Sequence, residues 1–281
     1  MVDFVVATGV ADVRRLPDDS SELVTQALLN MPVYAGKIQG EWAEVKLVDY
    51  LGWMRLSDLA APITKGFCKV GEDCGTPFPL IAVITATHTA LYETADGSQK
   101  VGHAYLSTRL PLLDITYPAR VQVALPGERT AWLERSDLEI RQQKEPYPRQ
   151  AVEAVTGYAR KLLGVPYLWG GTSWEGIDCS GFVQLCYRMG GYFIPRDADQ
   201  QDGFLFHTIE RPYMCAGDLI FFGSKEITHV GMALNDHEYI HAEGQDYNRV
   251  VINSFNPSDE HYYERLDQIV WSMKRVAEEH E

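Results

Sequence analysis

A cysteine with polar neighbours stands in the stretch YLWGGTSWEGIDCSGFV, residues 167–183. The apolar spacing after Cys179, ending in a double glycine, predicts a helix, and Asp178 is a favoured residue to cap its start. Cys179 then falls in the first turn, where backbone N–H groups and the helix dipole favour an anion, so we expect the pKa of its thiol to be lowered. The pattern predicts an accessible nucleophile whose surroundings also steady an oxyanion.

A thiol of this kind needs a base, and the base needs a partner that orients it; without them the pattern describes an inert cysteine on a capped helix. ITHVGMALNDHEYIHAE, residues 227–243, reads as two short strands around the turn signal Asn235-Asp236. In a hairpin centred there, His229 and His241 lie directly opposite each other, or one residue away from direct opposition, depending on the loop length. Their imidazoles could then meet across the two strands. One would act as general base and the other would fix its tautomer.

A metal site is the competing interpretation, because His229, His237 and His241 are three potential ligands. It has less support, since His237 falls at the turn and no CxxC or HExxH pattern is present. We therefore predict no metal and no cofactor, and we expect His237 to be solvated. Cys186 and Cys215 are expected to be buried structural thiols.

Bulk composition narrows the classes of partner. The 281 residues carry a formal net charge of -14, which argues against a nucleic-acid backbone or an anionic membrane as the main partner. No long apolar run predicts a membrane span, and no signal peptide is visible, so we expect a cytoplasmic protein, or a secreted or periplasmic one if a leader has been removed. Five cysteines leave at least one thiol free, and Cys68 and Cys74 either pair or stay reduced.

An internal repeat organises the first half of the chain. GWMRLSDL at 52–59 returns as AWLERSDL at 131–138, with the tryptophan and the Ser-Asp-Leu ending in register. Short β-rich runs between turn signals predict a small barrel in each copy, with the repeated tryptophan in its core rather than on a ligand platform. Farther on, apolar residues at helical spacing predict an amphipathic helix over 149–164. The predicted domains are a first β-domain at 1–62, a connector at 63–79, a second β-domain at 80–140, a linker at 141–150 and a C-terminal domain at 151–281.

The C-terminal region carries four motifs in a characteristic order: Tyr167-x-Trp169-Gly170-Gly171, Asp178-Cys179-Ser180-Gly181-Phe182-Val183, His229-Val230-Gly231-Met232 and His241-Ala242. Together they resemble the NlpC-type cell-wall cysteine peptidases, a papain-like family, over residues 150–275. The repeated β-domains resemble bacterial SH3-like domains. The resemblance implies two small all-β SH3-like barrels followed by an α+β papain-like catalytic domain. It also implies cleavage of the γ-D-glutamyl bond to a diamino acid in peptidoglycan stem peptides.

The resemblance assigns catalytic roles to four residues. Cys179 matches the nucleophile, His229 the base, and His241 the polar residue that orients the base. Tyr167, twelve residues before the cysteine, matches a tyrosine placed near the oxyanion.

Substrate contacts follow from the same resemblance. Asp178 and Ser180 flank the nucleophile as in the family and are expected to touch substrate. Two barrels ahead of this catalytic domain resemble the dipeptidyl-peptidase VI type, recycling enzymes that remove L-alanyl-γ-D-glutamate from peptides with a free amino terminus. Asp197 matches an aspartate that binds this amine, and Tyr50 matches a tyrosine from the first barrel. Met31 stands where that subclass has a glutamate, so only the carboxylate of Asp197 is expected to contact the amine.

The leading hypothesis is therefore a cysteine endopeptidase acting on murein-derived peptides with a free N-terminal L-Ala, followed after the glutamate by lysine or diaminopimelate. Two alternatives stay open. One is a cell-wall binding SH3-like protein with a weak or vestigial catalytic domain, against which the filled triad positions argue. The other is a papain-like amidase acting on another substrate, because fold and triad do not fix the acyl group.

Overall fold

The computed structural model describes residues 4–63 and 80–276. The chain divides into two compact units, Met1–Pro146 and Tyr147–Glu281. In the described part of the chain, no helix is long and apolar enough to cross a membrane. The domain limits predicted from the sequence stay predictions.

Within residues 4–63, seven short strands form one antiparallel sheet: β1 (Phe4–Val6), β2 (Val10–Arg14), β3 (Leu23–Leu28), β4 (Pro32–Gln39), β5 (Trp42–Lys46), β6 (Leu51–Arg55) and β7 (Leu59–Ala60). Their order across the sheet is β3-β2-β6-β5-β4-β1-β7. Buried and less buried residues alternate along β2, as expected for a strand with one face on a core.

Within residues 80–146, seven further strands repeat this plan: β8 (Leu80–Ile84), β9 (His88–Tyr92), β10 (Lys100–Tyr105), β11 (Arg109–Asp114), β12 (Arg120–Leu125), β13 (Arg129–Glu134) and β14 (Leu138–Gln142). Their order, β10-β9-β13-β12-β11-β8-β14, is that of the first sheet strand for strand. The repeat predicted from GWMRLSDL is thus confirmed as a structural repeat. Both Ser-Asp-Leu endings form a short 3-10 turn, at Leu56–Asp58 and Arg135–Asp137, that leads into the last strand.

The repeated tryptophans lie on the outer faces of the barrels, and the prediction that they fill the cores is wrong. Trp53 and Trp132 are half-buried, whereas the next residues, Met54 and Leu133, are fully buried in the two cores. Neighbouring side chains on a strand point to opposite faces, so a tryptophan beside a core residue must point away from the core. There the rings of Trp132 and Tyr117 meet edge to face, with centroids 5.9 Å apart.

The described part of the C-terminal unit combines helices with a six-stranded sheet, which confirms the predicted α+β class. Its helices are α1 (Val152–Lys161), α2 (Cys179–Met189), α3 (Ala198–Phe204) and α4 (Glu264–Asp267). Its strands are β15 (Thr172–Ser173), β16 (Gly176–Ile177), β17 (His207–Thr208), β18 (Leu219–Phe222), β19 (His229–Ala233), β20 (Glu238–Glu243), β21 (Arg249–Ser254) and β22 (Val270–Arg275). The sheet runs β17-β22-β18-β19-β20-β21, while β15 and β16 pair separately. The helix predicted over 149–164 is α1, which is shorter at both ends.

Helix α2 carries the candidate nucleophile and packs against β19 and β20. Phe182 and Val183 are fully buried on its apolar face. The double glycine ends it as predicted, because Gly191 has a left-handed φ of +82° and a Cβ there would lie 2.6 Å from the carbonyl oxygen of Pro148. The sheet and α2 together bring the cysteine of one element towards the histidines of another.

Candidate active site

Cys179 is the first residue of α2 and is 7% exposed, so the thiol predicted to be accessible is buried. The backbone N–H groups of Ser180 and Val230 favour the thiolate form of its sulfur. Burial raises the pKa of the Cys179 thiol to about 12 and the Asp178 carboxylate adds to the rise, while these N–H groups and Arg196 oppose it only in part. The predicted lowering of this pKa is wrong because burial outweighs the helix N-terminus.

A buried ion pair fixes the residue before the nucleophile. Arg196 is 1% exposed, and its terminal nitrogens lie 3.0 and 2.6 Å from the two carboxylate oxygens of Asp178. The same carboxylate accepts the N–H of Gly181 at 2.7 Å, the N–H of Gly170 at 2.9 Å and the hydroxyl of Ser180 at 3.2 Å. These bonds tie the preceding loop to the start of α2. The substrate contacts assigned to Asp178 and Ser180 stay predictions.

A row of hydrogen-bonded side chains crosses three strands on the other side of the site. His229 on β19 places Nε2 2.8 Å from Nδ1 of His241 on β20. His241 in turn places Nε2 2.9 Å from Oδ1 of Asn253 on β21. His241 and Asn253 are buried, while His229 is partly exposed at the end of the row. His229 directly precedes Val230, whose backbone N–H lowers the pKa of Cys179, and its strand packs against α2.

The predicted register of the two histidines is wrong. The sequence placed His229 within one residue of the position opposite His241, and in the structure it lies two residues away. Strands β19 and β20 pair Met232 with Ile240, and this register places Gly231, not His229, opposite His241. Residues two apart on a strand share a face, so the two rings still meet on a diagonal. Gly231 leaves the room between them, since a Cβ there would lie 3.3 Å from the Cβ of His241.

Burial favours the neutral form of both imidazoles. It lowers the pKa of His241 to about 4, although the hydrogen bond with Asn253 acts in the opposite direction. It also lowers the pKa of His229 well below its usual value, and the neighbouring His241 and the positive charge of Arg265 lower it further. The raised pKa of Cys179 and the lowered pKa of His229 favour a neutral thiol and a neutral imidazole in the resting site. Attack from such a state requires the thiol proton to move to a base.

Tyr167 is half-buried, and burial together with the nearby Cys179 raises the pKa of its phenol above the usual value. The phenol therefore stays protonated at neutral pH and can donate a hydrogen bond. Gly244, the residue after β20, packs flat against its ring: a Cβ at Gly244 would lie 2.6 Å from the Cε1 atom. The place of Tyr167 beside the oxyanion stays a prediction.

The remaining predicted binding residues lie in both units. Asp197 immediately precedes α3 and accepts a hydrogen bond from Gln200 at 3.3 Å. Tyr50 and Met31 both pack against the core of the first barrel. Met31 thus contributes apolar packing where the subclass described above has a glutamate. The contacts of Asp197 and Tyr50 with substrate stay predictions.

The other cysteines differ in burial. Cys186 is fully buried, as predicted. Cys215 is exposed, and the prediction of a buried thiol is wrong: it lies in the turn before β18, where its sulfur accepts an N–H from Arg275 at 2.9 Å. Cys68 and Cys74 lie outside the described residues.

His237 lies at the hairpin turn with a side chain that is 43% exposed, and its Nδ1 is 2.5 Å from Asp236. Across residues 4–63 and 80–276, no three His, Cys, Asp or Glu side chains are grouped to hold a metal ion.

Three residues that shape the site were not singled out from the sequence. Arg196 stands in IPRDADQQ beside the aspartate that was noticed, but nothing local shows that it pairs with Asp178. Asn253 follows three consecutive apolar residues in β21, so the sequence pattern does not show which face of the sheet it lies on. Gly244 gives no signal in the sequence. A side chain is excluded there only because the ring of Tyr167, far away in the chain, packs against it.

Comparison with known proteins agrees with this geometry. Residues 164–270 match the NlpC/P60 family, and residues 13–59 match the bacterial dipeptidyl-peptidase Sh3 domain. A gamma-D-glutamyl-L-lysine dipeptidyl-peptidase from Bacillus cereus is 31% identical over 242 residues, covering 80% of this chain and 68% of the relative. Dipeptidyl-peptidase 6 from Lysinibacillus sphaericus is 26% identical over 279 residues, covering 94% of this chain and 96% of the relative.

A solved structure shows the same fold. The crystal structure of an NlpC/P60 family protein from Bacillus cereus aligns with a TM-score of 0.82 at 24% identity, covering 97% of this chain and 99% of that one. The sequence matches confirm the predicted family. This chain belongs to the NlpC/P60 family of cysteine peptidases.

Proposed function

We propose that this peptidase hydrolyses the γ-D-glutamyl to L-diamino acid bond of small murein-derived peptides that begin with a free L-Ala. The observation that carries the proposal is the His229–His241 contact on strands that pack against the helix whose first residue is a buried cysteine. The substrate class is supported by relatives from Bacillus cereus and Bacillus subtilis that are named gamma-D-glutamyl-L-lysine dipeptidyl-peptidases.

In the proposed mechanism, the Cys179 sulfur attacks the γ-carbonyl carbon of D-glutamate while His229 takes the thiol proton. The Tyr167 hydroxyl, kept protonated by its raised pKa, donates to the oxygen that becomes negative. The C–N bond then breaks, and protonated His229 returns the proton to the leaving amine. Water next attacks the thioester with His229 again as base, which releases the acid and restores the thiol.

Recognition of the free amino terminus is assigned to Asp197. This carboxylate is half-buried at the start of α3, next in sequence to the buried Arg196. A carboxylate that pairs with the ammonium would reject an acetylated amino terminus, which carries no charge. With Met31 in place of the second carboxylate, we expect weaker discrimination than two carboxylates would give.

The test is hydrolysis of L-Ala-γ-D-Glu-L-Lys, its N-acetylated form and the diaminopimelate analogue, followed by mass spectrometry. We expect the free peptides to be cleaved faster than the acetylated one, and kcat/KM to fall by at least ~10³-fold in Cys179→Ala. Cys215→Ala, which removes an exposed thiol of the same unit, serves as the matched control and should keep full activity.

Cleavage of none of these peptides by the wild-type protein would overturn the proposed substrate. Equal cleavage of the free and acetylated peptides would remove the role given to Asp197 and leave the peptidase. Wild-type activity in Cys179→Ala would discard the nucleophile.

A further inference from the structure

Asn253 lies at the inner end of the row of side chains that begins at His229. It is 1% exposed on β21, directly opposite Tyr239 on β20. His241 lies two residues after Tyr239 on the same face of β20, and its Nε2 is 2.9 Å from the amide oxygen of Asn253. None of the catalytic roles assigned above involves this asparagine.

The orientation of the Asn253 amide is fixed by a group that can only accept. Its Nδ2 donates to the carbonyl oxygen of His261 at 3.0 Å and to the hydroxyl oxygen of Tyr247 at 3.3 Å. A flipped amide would set two acceptor oxygens, those of Asn253 and His261, against each other. The amide oxygen must therefore face His241.

This orientation determines where the protons lie on both imidazoles. Facing an acceptor, Nε2 of His241 carries the proton, and the Nδ1 atom of the neutral ring is left as a lone pair. That lone pair accepts from Nε2–H of His229 across 2.8 Å. Neutral His229 then has its own lone pair on Nδ1, the nitrogen available for the thiol proton.

We propose that Asn253 is a positioning residue that sets the tautomers of both His241 and His229, and so presents the base in its proton-accepting form. The inference rests on the proposed role of His229 as the base for Cys179. It adds a fourth residue, held by the loop after β21, to the three that the motifs identify.

Charged and titratable groups surround His241 from several elements. Glu243 lies on its own strand, and Arg265, whose guanidinium bonds Glu243 at 2.7 Å, comes from α4. The ring of Tyr263 faces His241 with centroids 6.4 Å apart, and that of Tyr239 with centroids 5.1 Å apart. Glu243 favours a charged imidazole and Arg265 disfavours it, so their charges act against each other at this ring.

The experiment combines NMR of the imidazole nitrogens in the resting protein with kinetics on L-Ala-γ-D-Glu-L-Lys. In the wild type, we expect both His241 and His229 to carry the proton on Nε2. Asn253→Leu has a similar volume and no acceptor, so His241 should populate both tautomers and kcat should fall by roughly 10–100-fold with KM little changed. Asn256→Ala, in the exposed loop that follows, is the matched control and should change neither readout.

A second variant separates positioning from packing. Asn253→Asp keeps an oxygen that accepts from His241 Nε2–H and adds a negative charge, but it sets its second oxygen against the His261 carbonyl, so we also expect a loss of stability. We expect it to retain the wild-type tautomers, to keep more activity than Asn253→Leu, and to move the acid limb of kcat/KM upwards. Loss of activity in both variants with unchanged tautomers would overturn the proposal, as would a wild-type His241 protonated on Nδ1. The NMR measurement needs no substrate. Failure of the wild type to cleave the peptide would therefore count against the proposed function and not against the proposed tautomers.

Discussion

The proposed nucleophile and the proposed base of this site are held by different kinds of interaction. On the nucleophile side, Asp178 and Arg196 form a buried ion pair whose charges are matched by backbone N–H groups. On the base side, His229, His241 and Asn253 form a row in which the structure favours neutral groups. Charged side chains thus fix the backbone before Cys179, whereas uncharged side chains hold the imidazole that is proposed to accept a proton.

The contrast has a physical reason. A full charge held near an imidazole would shift its pKa and fix its protonation state, whereas a neutral row transmits only orientation. The ion pair before Cys179 can be strong with a smaller net effect, because its two charges act against each other: Asp178 raises the pKa of the thiol and Arg196 lowers it. We therefore expect the two sides to fail in different ways: the ion pair through stability, and the row through catalysis.

The largest expected effect is on stability. Arg196→Met fills a similar volume but leaves the Asp178 carboxylate buried without its partner, so the free energy of unfolding should fall by ~3–5 kcal/mol. Denaturant unfolding of the wild type and the variant measures this loss.

Arg211→Met is the matched control for that loss. Arg211 pairs with Asp267 at the surface of the same unit, with a side chain that is 43% exposed. Removing such a pair should cost about 0–1 kcal/mol. Equal losses in the free energy of unfolding would mean that the buried Asp178–Arg196 pair stabilises the fold no more than a surface pair does.

A smaller effect is expected at the ring of Tyr167, the proposed donor to the oxyanion. Gly244→Ala adds a methyl group where the ring of Tyr167 now lies, so the ring must shift by a fraction of an ångström or more. We expect kcat to fall by about tenfold because the donor to the oxyanion is misplaced. Gly157→Ala, at a helix position of α1 with open space around it, is the control and should leave kcat unchanged. Full activity in Gly244→Ala would remove Tyr167 from the mechanism.

The smallest effect is in the pH dependence. His229 must be neutral to accept the thiol proton, and its pKa is lowered well below 6.5. As pH falls, the base is therefore lost only below pH 6.5, so kcat/KM should change little between neutral pH and 6.5. If the acid midpoint of the steady-state pH profile lies above 6.5, the pKa of His229 is not lowered, which contradicts this prediction.

Local patterns in the sequence predicted much of this architecture. The repeated GWMRLSDL ending gave two equal sheets, and the cap at Asp178 with the glycine stop gave α2 its bounds. The alternation of His229 and His241 placed both on one face even though their register was wrong. A face depends on parity along one strand, whereas register depends on the turn between two strands.

Features set by distant contacts could not be predicted in the same way. The raised pKa of Cys179 follows from burial under elements far along the chain, and burial of a first-turn residue is not visible in its neighbours. The pairing of Arg196 with Asp178 joins residues on either side of α2. The outward position of Trp132 depended on which face of β13 covers the core, which the apolar residues on both sides left ambiguous.

The ionisation state of Cys179 in the resting protein tests the neutral site most directly. The ultraviolet absorbance of a thiolate, taken as the difference between wild type and Cys179→Ala, can be followed against pH. We expect no thiolate band at neutral pH, and a band that grows only as the pH approaches the raised pKa of about 12. A full thiolate band at neutral pH would show a preformed thiolate–imidazolium pair and would contradict proton transfer during attack.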